Sequence, residues 1–74
     1  MTQVTSIDEL KVLAKGGNHF IFTRLKKSLY IDYNPLTDMW WFKYYNDGSE
    51  KLFLSNHISA KINFLINTKC IFLA

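Results

Sequence analysis

The sequence is short of the usual staples. Among 74 residues it has one cysteine, one proline, three glycines and two histidines. A lone Cys70 cannot close an internal disulfide. Two histidines and one cysteine without CxxC or HxxxH spacing do not make a structural zinc site. Domains below roughly 70–80 residues often draw stability from disulfides, metals or a second subunit. The sources left to this chain are a dense aromatic core or self-association.

A long hydrophobic run is missing as well. The most apolar stretch, residues 58–74, is interrupted by Lys61, Asn63, Asn67, Thr68 and Lys69, and a bilayer span needs about 20 predominantly apolar residues. The start, MTQVTSIDEL, lacks the basic end and apolar run of a signal peptide. The expectation is a cytoplasmic protein with no membrane contact. Charge of one sign is also scarce: nine Lys and Arg against six Asp and Glu leave +3, which permits nucleic-acid binding without arguing for it.

Apolar residues are plentiful. A hydrophobic fraction of 49% against 20% charged excludes a disordered chain and predicts one domain over residues 1–74. The richness in Lys, Asn, Ile, Phe and Tyr suits an AT-rich genome, such as that of a low-GC bacterium or its phage.

Along the chain, SIDELKVLAKGG carries the clearest local signal. Ser6 with Glu9 three residues on is a capping box, and Gly16 and Gly17 stop the helix. Ile7, Leu10, Leu13 and Ala14 line one helical face. HFIFTRL and SLYIDY, separated by two lysines, read as two strands, the second with Leu29, Ile31 and Tyr33 on one side and Ser28, Tyr30 and Asp32 on the other. NPLTD is a turn, because Pro35 ends the strand near Tyr33. Residues 39–45 and 51–54 read as a hairpin across NDGS. Ile58, Ile62, Leu65 and Ile66 then repeat at helical spacing, with Ser55 or Asn56 as cap. The last residues, CIFLA, are a fifth strand or a tail docked into the core, because leaving them in water would forfeit about 25 cal/mol per Å². The fold class expected is α+β: a small antiparallel meander of four strands and a possible short fifth, packed on one face by an N-terminal and a C-terminal helix.

Five aromatic rings fall in the six positions 40–45, more than one face of a strand can use. Register decides which rings share a face, since a slip of one residue moves a strand's side chains to the other side. A three-residue turn with Gly48 in the left-handed position pairs Phe42 with Leu52, Trp40 with Leu54, Trp41 with Phe53 and Lys43 with Lys51. A two-residue turn would pair Phe42 with Phe53 and mix charge into both faces. The first register segregates them, at about 0.2–1 kcal/mol for the opposed lysines. It leaves Trp40, Phe42, Leu52 and Leu54 on a core face, with Tyr44 at its edge. The second face then carries Tyr30, Trp41, Lys43, Tyr45, Lys51 and Phe53.

That second face is the candidate site. Either it is buried by the CIFLA tail or by a second copy, or it binds a protein partner, with Lys43 and Lys51 suited to an acidic surface. The expected function is a non-enzymatic interaction module, such as a small phage or mobile-element protein that binds and modulates a host protein. The alternative is single-stranded nucleic acid stacked on the same rings, with Arg24, Lys26 and Lys27 as phosphate contacts. Edge strands and an uncharged tail lean the chain toward a homodimer. His57, Ser59, Asp32 and Asp38 form no nucleophile–base or paired-carboxylate pattern, His19 reads as a strand-edge residue, and Cys70 reads as a small buried hydrophobe. No catalytic residue, metal or cofactor is expected.

Overall fold

The computed structural model describes residues 2–45 and 48–74. Its elements run β1 Thr2–Gln3, α1 Ile7–Ala14, β2 Asn18–Phe22, β3 Lys27–Asn34, β4 Met39–Tyr44, β5 Glu50–Leu54, α2 Ser55–Asn67 and β6 Ile71–Leu73. The fold is α+β, with one antiparallel sheet in the order β1-β6-β2-β3-β4-β5.

The first helix starts as its sequence dictates. Ser6 Oγ accepts from Glu9 N–H at 3.0 Å, while the Glu9 carboxylate accepts from Thr5 Oγ1 at 2.8 Å instead of closing the box. Gly16 and Gly17 both take positive φ, 90° and 80°, a pair that side-chain-bearing residues rarely adopt. The strand after them is shorter than HFIFTRL suggests. Residues 23–26 form the turn, with Lys26 at φ 51°, and Lys27 already stands in β3 opposite Phe22.

The meander gains two strands. β6 lies between β2 and β1, with Phe20 opposite Leu73, Phe22 opposite Ile71 and Thr2 opposite Leu73. The CIFLA segment is therefore an internal strand of its own chain, paired on both sides, and neither covers a sheet face nor offers an edge to a second copy. β1 has only two residues and no periodicity to announce it. It forms because β6 offers it an edge, and Val4, just beyond it, is fully buried and donates N–H to Ile71 O at 2.9 Å.

α2 follows β5 without a loop. Neither Ser55 nor Asn56 caps it: the cap is Leu54, with no side-chain bond. Ser55 Oγ serves another purpose, donating to Asp38 at 2.7 Å and accepting from Trp40 Nε1 at 3.0 Å. At the far end Cys70 N–H reaches Leu65 O and Lys69 N–H reaches Ile66 O. This is the paired closure that lets a helix turn sharply into a strand, here with Lys69 at φ 59°.

One hydrophobic core lies between the helices and one face of the sheet. It holds Leu10 and Ala14 of α1, Ile58, Ile62, Leu65 and Ile66 of α2, and the strand residues Phe20, Phe22, Leu29, Ile31, Tyr33, Trp40, Phe42 and Ile71. Cys70 is buried with them. Both helices sit on this side, so the other face of the sheet is left without a layer.

Candidate functional site

Strand alternation assigns each side chain to a face, and the β4–β5 register corrects the reading made from the sequence. The partners are Trp40 with Phe53, Trp41 with Leu52, Phe42 with Lys51 and Lys43 with Glu50. Tyr44 N–H donates to Ser49 O at 2.8 Å, so residues 45–48 form the connection, one residue longer than the three-residue turn. Gly48 takes φ 70°; the turn type rests on Asn46 and Asp47, which lie outside the described residues. Two terms favour this register. It replaces the opposed Lys43–Lys51 pair with Lys43 against Glu50 at 3.9 Å, and it lays Phe53 against Phe42, ring centroids 5.4 Å apart, beside the start of α2.

The consequence is an exchange between faces. Phe53 and Lys51 turn to the helix side and leave the candidate site. Leu52 and Leu54, expected in the core, move to the helix-free face. Tyr30, Trp41, Lys43 and Tyr45 stay there together, with Asp32 beside Tyr30 on β3 as its alternation predicts, and Met39 and Glu50 join them. Exposure marks an open surface: Tyr30 41%, Trp41 44%, Tyr45 60%, Leu52 51% and Leu54 41%. Contiguous apolar patches of this kind on a soluble chain commonly mark binding sites.

His19 was missed by the sequence reading, which put it at a strand edge. β2 is an interior strand, and the imidazole stands on the helix-free face between two tyrosines, 5.0 Å from the Tyr30 ring and 5.3 Å from the Tyr45 ring, both stacked. Its Nε2 is buried without a hydrogen-bond partner among the described residues. Strand alternation in HFIF sets His19 on the face away from the buried Phe20 and Phe22, and the β2–β3 register then brings it opposite Tyr30.

Arg24 and Lys27 of the basic cluster do not join this face, and Lys26 lies in the turn between β2 and β3. The Arg24 guanidinium lies 5.3 Å from the Phe64 ring on α2, and the Lys27 ammonium lies 5.2 Å from the Tyr44 ring. Both lean to the helix side. Lys51 has gone there too, so among the described residues the charged side chains on the helix-free face are Asp32, Lys43 and Glu50. Two carboxylates against one lysine make the described part of that face acidic by one charge, where the sequence reading made it basic.

On the helix side a polar network ties three elements together. Asp38 accepts from Tyr33 Oη at 2.5 Å and from Ser55 Oγ at 2.7 Å, with Lys11 Nζ at 4.0 Å. The Tyr33 and Ser55 hydroxyls, then Lys11, hold the Asp38 carboxyl below its ordinary range. The same bond, with burial, pushes the Tyr33 phenol up. This network orients the chain at the β4 and α2 starts. His57 is exposed in the first turn of α2, with no described partner that would make it a base. Among the described residues no three His, Cys, Asp or Glu side chains converge as a metal site, and no helix is long and apolar enough to cross a membrane.

Compared with known proteins, the chain matches no family model, no curated protein and no solved structure.

Proposed function

We propose that this chain is a non-enzymatic interaction module that binds a protein partner through the helix-free face, with Trp41, Tyr45, Tyr30, Leu52 and Leu54 as its contact surface. The observation that carries the reading is that these five large side chains are all substantially exposed on one face that neither helix covers. Trp and Tyr concentrate binding energy at interfaces because they bury much area at little conformational cost. Single-stranded nucleic acid is the weaker reading, since stacking sites work with cations that track the phosphates. Arg24, Lys27 and Lys51 lie on the other side of the sheet.

Photo-crosslinking tests the proposal. A photoreactive residue placed at Trp41 or Tyr45, in cells that make the protein, should give protein adducts, including a doubled mass if the partner is a second copy. The same residue at Val12 or Phe64, exposed at 75% and 52% on the two helices that cover the opposite face, should give none above background. Equal adducts from all four positions would remove the face from consideration. Adducts with nucleic acid from position 41 would establish the alternative.

A further inference from the structure

The helix-free face is not uniform. Between β3, β4 and β5 it sinks into a depression of about 250 Å³ lined by Asp32, Asn34, Thr37, Met39, Trp41 and Leu52. Register explains its shape. Asp32, Trp41 and Leu52 stand directly opposite one another across three strands, so a carboxylate, an indole and an aliphatic side chain form one row with neighbouring Cβ atoms about 5 Å apart.

Resting on the interaction reading above, we infer that this depression is the specificity pocket of the face and takes a basic side chain of the partner protein, arginine in preference to lysine. Three features converge on a cation. Asp32 accepts one hydrogen bond, from Gly16 N–H to Oδ1 at 3.1 Å, and has no ion pair among the described residues, whereas Lys43 on the same face is already matched by Glu50. Trp41, directly opposite, offers the ring type that attracts cations most strongly. Among its described residues the face carries an excess carboxylate, so charge complementarity calls for a positive group. A guanidinium fits the pair better than an ammonium, because its plane can lie on the indole while its edge forks onto the carboxylate. Met39 and Leu52 would then receive the aliphatic stem.

Acidic partners and nucleic acid fit such a pocket poorly. Either would set its anions against Asp32 and Glu50 with one lysine to offset them, and like charges brought together at an interface oppose association.

The test is an array of short random-sequence peptides probed with the full chain and with three variants. Peptides bound by the wild type and lost with Trp41→Ala should be rich in Arg and Lys. Asp32→Asn retains the oxygen that accepts from Gly16 N–H, so it keeps the fold while removing the charge, and it should weaken these peptides about tenfold. Asp32→Lys should shift the selection to Asp- and Glu-rich peptides. Circular dichroism of each variant verifies folding. Trp41-dependent peptides that are acidic or uncharged, or that bind Asp32→Asn as tightly as the wild type, overturn the pocket assignment and leave the interaction reading standing. If no peptide signal depends on Trp41, both fall.

Discussion

Trp40 and Trp41 are neighbours in the chain and opposites in the fold. Trp40 is fully buried, tilted against Tyr33 with ring centroids 4.7 Å apart, and its Nε1–H is satisfied by Ser55. Trp41 is 44% exposed beside Asp32 and Leu52. The two faces of the sheet repeat this contrast along its length: one has closed its polar groups into Tyr33, Asp38, Ser55 and Trp40, while the other leaves rings and a carboxylate open. The buried core lies on the first face, and the exposed large apolar side chains Tyr30, Trp41, Tyr45, Leu52 and Leu54 lie on the second.

The two faces differ most at the tryptophans. Trp40→Ala should cost about 3–5 kcal/mol in chemical denaturation, the range for large aromatic truncations in cores. Trp41→Ala should remain within about 1 kcal/mol while abolishing partner crosslinks. Similar losses from both would mean that the helix-free face is a second core.

Ser55→Ala leaves the Trp40 indole N–H buried without its acceptor. The expected cost is about 1–3 kcal/mol, read from the denaturation midpoint, and an unchanged midpoint would remove this bond from the stabilising network.

The network also has a pH signature. The folded Asp38 pKa lies below its ordinary value because the Tyr33 and Ser55 hydroxyls donate to the carboxylate. Its contribution is therefore present above about pH 4 and lost as pH falls through the folded value. Tyr33 shifts up, chiefly through the same bond, so its contribution is complete below about pH 10 and lost as pH rises through the folded value. Asp38→Asn should flatten the acid limb of a stability–pH profile, and an identical limb would assign acid sensitivity to other carboxylates.

The smallest effect sharpens the register. Lys43→Glu sets like charges opposite each other and should cost about 0.2–1 kcal/mol, with the loss shrinking in salt and recovered by adding Glu50→Lys. A gain in stability from Lys43→Glu instead, which would turn the opposed Lys43–Lys51 pair into opposite charges, would restore the three-residue turn.

Local chemistry made much of this fold legible. Ser6, the Gly16–Gly17 stop and the Ile58–Ile62–Leu65–Ile66 stripe mark two helices because capping and helical periodicity act over a few residues. The alternation of Leu29, Ile31 and Tyr33 against Tyr30 and Asp32 placed β3 correctly, because a period of two is local as well. The class and the two-faced sheet followed, with Tyr30, Trp41, Lys43 and Tyr45 on one face.

What tertiary structure decided was every relation between distant strands. The β4–β5 connection is one residue longer than its glycine suggests, and that single residue exchanged Phe53 and Lys51 for Leu52 and Leu54, because side-chain direction reverses at each step. β1 exists only because β6 lies beside it, some seventy residues along the chain. His19 became central only when β6 turned β2 into an interior strand. The sign of the face followed from the same pairings: Lys43 met Glu50, Lys51 went to the helices, and Asp32 was left open beside Trp41. Composition counts charges, but which of them share a surface depends on strand register, and register is set by contacts that no local pattern contains.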